Sequence, residues 1–259
     1  MILYSLRNLI KSRDLVKYLV ITNLKLTHRN MILGYLWWII TPFLWVVIYW
    51  LLIAIIFKRG EPNYALFLAC ALLPWRAFSL SVSKSITCIS SQEKIIKQVA
   101  FPKIVLPISV VFSNSVNLLI SIVVLIVIAL FYGIIPTFNL LFLPLIILTQ
   151  LLFTLGISIF FSIIGIYFVD IQNIMQFILR VWLYLSPSLY SIERVPENLR
   201  DIFMLNPFTP IFISYRNVIM YGQMPVMKPL FITLFLSFVI LWCGLWFFSK
   251  QEFQIPKLI

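Results

Sequence analysis

Two arginines interrupt long apolar stretches of this 259-residue chain. Arg76 follows Pro74 and Trp75 near the middle of one apolar run, and Arg180 lies inside another. A guanidinium that faces lipid costs at least about 2.5–3.5 kcal/mol, so each side chain should face water, an anionic ligand or a protein partner. The structural alternatives are snorkelling of Arg180 towards the interface and capping of main-chain carbonyls by Arg76 at Pro74.

A strip of aromatic side chains is the second feature with chemical potential. On a helix, Tyr35, Trp38, Trp45 and Tyr49 fall within an arc of roughly 80°. Tyr35 and Trp38 suit anchoring at a membrane interface, whereas Trp45 and Tyr49 lie roughly 12–18 Å deeper along the helix. The deeper rings either pack between helices or line a path for sugars, whose C–H faces stack on aromatic rings. The spacing leaves both interpretations open.

Residue sets for soluble catalysis are missing from the sequence. None of the seven glycines begins a nucleotide-phosphate loop, and the single histidine, His28, cannot complete a nucleophilic triad or a zinc site. The three cysteines, Cys70, Cys88 and Cys243, have neither metal-ligand nor disulfide spacing. We therefore predict no catalytic residues, no metal and no cofactor bound by this chain. A transporter with this sequence needs a partner to supply energy, and a passive pore is the alternative.

The composition identifies the environment of these residues. Hydrophobic residues make up 62% of the chain and charged residues 11%, against about 45–50% and about 25% in soluble domains. The apolar runs are continuous, whereas a membrane β-barrel alternates apolar and polar residues. The net charge of +12 is not gathered in a compact polar domain, so nucleic-acid binding is not expected. The sequence predicts an all-α integral membrane protein.

Six apolar runs are long enough for transmembrane helices. They cover approximately residues 35–57, 64–86, 105–132, 140–168, 173–191 and 229–249. Together with their connections they predict one transmembrane domain over residues 1–259, which begins with an arm at 1–34. Between residues 13 and 32 of the arm, apolar side chains recur at helical spacing, which favours an amphipathic helix on the membrane surface over a plain polar arm.

The distribution of basic residues predicts the orientation. Twelve of the twenty lysines and arginines lie in the arm, in the loop 84–104 and in the tail after the last run. By the positive-inside rule these parts are cytoplasmic. Both termini are then on the cytoplasmic side, as six spans require.

Two connections are long enough for a role of their own. The loop 84–104 can hold about three helical turns before Phe101 and Pro102 stop the helix. The segment 192–228 is rich in apolar residues and is broken by Pro196, Pro207, Pro210 and Pro225. Such a segment is expected to re-enter the outer half of the membrane as short helices against other spans. A folded external loop is the alternative.

Several short motifs, in order along almost the whole chain, carry a family resemblance. The run Leu33-Gly34-Tyr35-Leu36-Trp37-Trp38, with Pro42 following, resembles the start of the type-2 ABC exporter permeases that move bacterial surface polysaccharides. Further matches are Leu73-Pro74-Trp75, Phe101-Pro102-Lys103, Asp170-Ile171, Tyr190-Ser191 with Val195-Pro196, Leu205-Asn206-Pro207-Phe208-Thr209-Pro210, Tyr215-Arg216 and Tyr221-Gly222.

The resemblance implies the membrane subunit of an exporter for lipid-linked O-antigen, teichoic acid or capsular polysaccharide in the bacterial cytoplasmic (inner) membrane. It implies a homodimer with two separate ATPase subunits, which hold ATP and Mg²⁺, and contacts with membrane lipids. Its expected channel residues are Tyr35, Trp38, Trp45, Tyr49, Arg76, Arg180 and Tyr184. Its expected ATPase-coupling residues are Gln92, Glu93, Lys94, Ile95 and Lys97. Its expected outer-gate residues are Asn206, Pro207, Pro210, Tyr215 and Arg216.

Two other functions fit parts of the pattern. A type-2 ABC exporter of a drug or small lipid would share the architecture without needing a wide continuous channel. A membrane-embedded glycan-modifying enzyme would use acids on a loop, and Glu193, Glu197 and Asp201 are candidates. Their alternation with Arg194 and Arg200 favours a solvated, self-paired helix instead.

Overall fold

A computed structural model describes residues 12–28, 36–51, 63–168 and 170–258. Within these ranges the chain is helical and contains no strand, which confirms the predicted all-α class. The helices are α1 (Arg13–His28), α2 (Trp37–Trp50), α3 (Tyr64–Thr87), α4 (Glu93–Gln98), α5 (Val105–Phe131), α6 (Leu143–Tyr167), α7 (Ile171–Leu185), α8 (Glu197–Leu205), α9 (Phe208–Ile219), α10 (Met227–Gln251) and α11 (Ile255–Leu258).

Four of the described helices are long and apolar enough to cross a membrane. They are Tyr64–Thr87, Val105–Phe131, Phe138–Tyr167 and Met227–Gln251. These helices coincide with the second, third, fourth and sixth predicted spans to within two or three residues. The match follows from predominantly apolar runs of roughly the 20 residues that a bilayer requires, among which the second span carries Arg76.

The first and fifth predicted spans correspond to shorter helices. The helix α2 lies inside the first span, and residues 52–57 lie outside the described part of the chain. The helix α7 has 15 residues, about 22 Å, against a hydrocarbon thickness of about 30 Å. Its predicted continuation to residue 191 is wrong because Ser186 has an extended backbone with ψ of 149°, as expected for a residue that precedes proline.

The helix α3 forms the centre of the bundle. Most of its side chains are buried, and it packs against α2, α5, α6, α7 and α9. The pair α6 and α10 packs most closely at Gly156 and Gly244, where a Cβ on Gly156 would lie 2.6 Å from the main-chain nitrogen of Leu241. Small residues allow such backbone contact between membrane helices. Among the described residues, α7 packs mainly on α3, and most of its remaining side chains are exposed.

The arm helix α1 begins at Arg13, as predicted, and packs along α5. Val16 and Leu19 contact an apolar cluster beneath it, whereas Tyr18 and Leu26 are exposed. Part of the predicted apolar stripe therefore packs against the protein, and part of it is exposed. Its placement on a membrane surface stays a prediction.

The segment 192–228 folds into a helical hairpin. A short turn at Ile192–Arg194 leads to α8, and Asn206 and Pro207 connect α8 to α9. The helix α9 is buried along most of its length among α3, α6 and α10. Its first residue, Phe208, contacts the ring of Trp75, which lies about 16 Å along α3 from Tyr64. The hairpin therefore reaches well into the bundle.

Candidate substrate cavity

A cavity of about 330 Å³ lies between α2, α3 and α7. The sequence spacing explains its lining. On α3, Leu72, Arg76, Ser79 and Ser83 recur every three or four residues and so share one helix face. On α7, Gln176, Arg180 and Tyr184 are spaced four apart and face the same space. These two stripes lie more than ninety residues apart in the chain and form two walls of the cavity.

The packing of α7 sets the direction of its polar stripe. Met175, Leu179 and Leu183 are buried, and α7 packs against α3. Because Arg180 follows Leu179 by one residue, it lies beside the contact with α3 rather than inside it. Arg180 and Tyr184 are both exposed within the described chain.

The guanidinium of Arg76 lies at the cavity wall with few partners among the described residues. Its guanidinium carbon lies 5.9 Å from the centre of the Trp45 ring, near the limit of a cation–π contact. Its Nη1 atom is buried and has no hydrogen-bond partner in the part of the chain that the structure describes. The carbonyl of Pro74 accepts a hydrogen bond from Gln150 Nε2 at 2.9 Å instead. Within the described residues, then, Arg76 does not cap the proline break.

No acidic side chain lines the cavity among the described residues. The two guanidinium groups therefore share the cavity without a carboxylate between them. The remaining polar lining comes from hydroxyl and amide groups on α3 and α7. An arrangement of this kind can hold an anion and can donate hydrogen bonds to hydroxyl-rich ligands.

The predicted aromatic strip is described only in part. Trp45 lines the cavity and its side chain is 46% exposed. Tyr35 lies outside the described residues, and the side chains of Trp38 and Tyr49 within α2 are likewise outside them. Of the expected channel residues, the structure thus brings Trp45, Arg76, Arg180 and Tyr184 together around one space.

An aromatic cluster separates this cavity from the hairpin. The Trp75 ring lies 4.7 Å from Phe208 and 5.8 Å from Trp182, with both contacts edge-on. Phe78 and Phe153 complete the cluster. Trp182 was not among the residues expected from the sequence to have a role. The serine-proline pair that follows it does signal the end of a helix in this part of the run.

Asn206, an expected gate residue, joins the hairpin to α7. Its Oδ1 accepts hydrogen bonds from Trp182 Nε1 and from the main-chain nitrogen of Phe208, both at 3.1 Å. Its Nδ2 donates to Ser186 Oγ at 2.7 Å. Pro207 follows as the N-cap of α9, where the fixed φ of proline suits a helix start. The turn of the hairpin is therefore fastened to the end of α7.

Tyr215 and Arg216 fasten α9 to the bundle. Tyr215 Oη donates to Gln150 Oε1 at 3.1 Å. Arg216, only 3% exposed, donates to the carbonyls of Pro187, Ser188 and Phe67 at 2.8, 2.7 and 3.3 Å. Pro210 is buried in the first turn of α9, where proline lacks no needed donor. Sequence reasoning missed Gln150, although a lone amide inside an apolar run was a visible signal.

The expected coupling residues lie on a short exposed helix. Gln92 ends a turn at Ser90–Gln92, and Glu93, Lys94, Ile95 and Lys97 follow on α4. Lys97 Nζ lies 2.6 Å from Glu93 Oε1, one helical turn apart. The neighbouring Ile96 is buried and holds α4 against the bundle. Burial also raises the pKa of the nearby Cys88 thiol, which keeps it protonated.

The acids considered for catalysis do not share one helix face. Glu193 lies in the turn before α8, and only Glu197 and Asp201 lie on α8 itself. Glu197 lies 3.7 Å from Arg200, which also donates hydrogen bonds to the carbonyls of Glu193 and Val195. These contacts stabilise the start of α8.

Comparison with known proteins places these features in a family. Residues 14–220 match the family described as ABC-2 type transporter. The chain is 32% identical over 255 residues to the O-antigen export system permease protein RfbA of Myxococcus xanthus, covering 98% of each chain. Two proteins of the same name from Klebsiella pneumoniae are 30% and 32% identical over 243 and 245 residues, each covering 93% of both chains.

Proposed function

Because this chain belongs to the ABC-2 type transporter membrane family, we propose that it is the permease subunit of an ATP-driven exporter of lipid-linked O-antigen-type polysaccharide. The observation that carries the proposal is the 32% identity across 98% of a protein named as an O-antigen export permease. The cavity between α3 and α7 supports it with hydroxyl, amide and aromatic side chains that suit sugars.

The proposed subunit spans the cytoplasmic membrane six times, with α2 and α7 as parts of the first and fifth spans. Both termini face the cytoplasm, where most of the positive charge lies. The helices α8 and α9 form a re-entrant hairpin in the outer half of the membrane. Burial of α9 against α3, α6 and α10 supports this placement, because main chain at membrane depth must be covered by protein.

The proposed energy source is a separate ATPase subunit that binds ATP and Mg²⁺. Two copies of this chain pair with two copies of that subunit, and α4 is the coupling helix. Its exposed side chains, Glu93, Lys94, Ile95 and Lys97, are available for docking, while buried Ile96 transmits displacement to the bundle. The helix α1, on the same cytoplasmic side, lies at the membrane surface.

The proposed path for the polysaccharide follows the cavity. Trp45 and Tyr184 offer ring faces for sugars, and Tyr35, Trp38 and Tyr49 continue the strip along the first span. Movement of α7 carries Asn206 with it, because Trp182 and Ser186 hold the Asn206 side chain. The hairpin with Asn206, Pro207, Pro210, Tyr215 and Arg216 then acts as the outer gate.

Deletion of the encoding gene in the native host tests this function. We expect surface polysaccharide to disappear and lipid-linked polysaccharide to accumulate inside the cell, with both reversed when the gene is restored. Surface and total polysaccharide are measured separately by antibody or lectin staining of intact and permeabilised cells. Unchanged surface polysaccharide together with altered drug sensitivity would instead indicate a drug or small-lipid exporter.

A further inference from the structure

We propose that Arg76 and Arg180 form a binding site for the phosphate groups of the lipid anchor that carries the polysaccharide. The proposal rests on the proposed export function and identifies the part of the substrate that the cavity recognises. It assigns the two guanidinium groups to the anchor and the surrounding aromatic and hydroxyl groups to sugars.

The balance of charge in the cavity favours a bound anion. Arg76 on α3 and Arg180 on α7 line the same space, and no carboxylate of the described residues lines it with them. Like charges at membrane depth repel each other and are costly to desolvate. A bound anion removes both costs.

One guanidinium nitrogen of Arg76 lacks a hydrogen-bond acceptor among the described residues. Arg76 Nη1 is buried without a hydrogen-bond partner in the described chain, although arginine carries five donors and no acceptor. Arg216, only 3% exposed, donates to three carbonyls at 3.3 Å or less. The bundle can thus satisfy a buried arginine with carbonyls, yet it leaves this nitrogen of Arg76 without one at the wall of a cavity.

The depth of the cavity limits which phosphate can reach it. Arg76 lies about 16–18 Å along α3 from either end of that helix. The phosphate of a resident membrane lipid lies in the headgroup layer, outside the hydrocarbon core. A phosphate that reaches Arg76 must therefore belong to a molecule that is carried through the membrane, which is the lipid-linked substrate.

The lining and the length of the cavity suit a phosphate ligand with sugars attached. Arginine donates two parallel hydrogen bonds to phosphate oxygens, which makes it suited to this group. The lining extends about 12–16 Å along α3 and α7. Ser79 and Ser83 continue from Arg76 along α3, so hydroxyl groups follow the cationic site in one direction. An anchor phosphate and the sugars attached to it can occupy the cavity in that order.

Binding of a short lipid diphosphate to the purified complex with its ATPase subunit tests the site. The probe is farnesyl diphosphate in detergent micelles, and the dissociation constant is measured by calorimetry against farnesol as the uncharged reference. We expect the wild-type complex to bind the diphosphate more tightly than the alcohol. Arg76→Gln and Arg180→Gln should each weaken diphosphate binding about tenfold, and Arg194→Gln, an exposed arginine outside the cavity, should leave it unchanged.

Two further ligands separate the sources of an anion. Phosphatidylglycerol tests for a resident lipid, and an acidic oligosaccharide without an anchor tests for charged sugars. We expect neither to compete with farnesyl diphosphate at equal concentration. Competition by either ligand overturns the assignment to the anchor, as does equal binding of the diphosphate and the alcohol. Size-exclusion profiles and melting temperatures of all variants establish that the complexes are folded.

An export assay in cells separates failure of this site from failure of the proposed function. We expect the double variant Arg76→Gln/Arg180→Gln to abolish surface polysaccharide while the complex is still assembled in the membrane. The conservative variant Arg76→Lys should retain part of the wild-type export. If the double variant exports polysaccharide at the wild-type level, the anion site is overturned and the export function stands. If the wild-type complex binds the diphosphate but exports no polysaccharide, the export function is overturned instead.

Discussion

Two arginines in the interior of this protein have opposite hydrogen-bonding environments. In the core around α9, Arg216 donates hydrogen bonds to three main-chain carbonyls and covers the Phe67 ring at 3.5 Å. At the cavity, Arg76 has a buried nitrogen without a partner among the described residues and lies 5.9 Å from the Trp45 ring. The packing of the described chain thus satisfies Arg216 and leaves one nitrogen of Arg76 unsatisfied.

Satisfaction of the guanidinium hydrogen bonds can distinguish a structural arginine from a ligand-binding one inside a membrane protein. A structural arginine replaces water with carbonyl oxygens, so that the folded state compensates the loss of hydration. Two of the three carbonyls that Arg216 uses, those of Pro187 and Ser188, lie just beyond the end of α7. A functional arginine keeps part of its hydrogen-bonding capacity for a ligand. The two classes should therefore respond differently to substitution.

The largest effect on stability is expected for Arg216→Gln. The shorter side chain cannot reach the carbonyls of Pro187, Ser188 and Phe67 together, and buried carbonyls lose their partners. Loss of hydrogen bonds from a charged donor should lower the free energy of unfolding by on the order of 3 kcal/mol. The melting temperature in detergent measures the effect, with exposed Arg194→Gln as the control. A melting temperature like that of the control would show that the carbonyl contacts are dispensable.

Asn206→Leu should have the next largest effect. It removes hydrogen bonds to Trp182, Ser186 and the main chain of Phe208, which connect the hairpin turn to α7. We expect a loss of about 2 kcal/mol and faster proteolysis at the α8–α9 turn. The matched control is Asn198→Leu at an exposed position of α8. Equal protease resistance in both variants would argue against Asn206 as the connection.

The sequence predicted the parts of this fold that depend on local signals. Long apolar runs located four helices that are long enough to span a membrane. Of the prolines expected to break the segment 192–228, Pro196 and Pro207 precede α8 and α9, whereas Pro210 lies within the first turn of α9. The end of α7 was missed although residues 186–191 include three serines and Pro187, so that the apolar run already ends at Leu185. Proline disfavours helical backbone at the residue before it, which places the end of the helix at Ser186.

The cavity was visible in the sequence only as isolated exceptions. Arg76 and Arg180 stood out because a charge inside an apolar run is costly. Their shared position could not be derived, since no periodicity reveals that α3 and α7 pack together. The partners of Arg216 were equally hidden, because main-chain carbonyls carry no signature in the amino-acid sequence.

Tyr215→Phe should have a smaller effect than the two preceding variants. It removes the hydrogen bond to Gln150 and keeps the ring that fills the core. The expected loss is about 1 kcal/mol, because Gln150 Nε2 still donates to the carbonyl of Pro74. The melting temperature should fall slightly relative to Tyr132→Phe, a substitution at an exposed tyrosine. A loss as large as that of Arg216→Gln would show that the α9 core depends on Gln150 rather than on the arginine.

The smallest effect on stability is expected at the cavity. Arg76→Gln removes a guanidinium whose buried nitrogen makes no hydrogen bond within the described chain, so the folded state loses little. The free energy of unfolding should change by no more than about 0.5 kcal/mol, and polysaccharide export should still fall. Comparing melting temperatures of Arg76→Gln and Arg216→Gln in one preparation measures the contrast directly. If Arg76→Gln unfolds the protein as readily as Arg216→Gln does, then Arg76 is a packing residue too. The unsatisfied nitrogen would then have a partner within the assembled transporter rather than in its substrate.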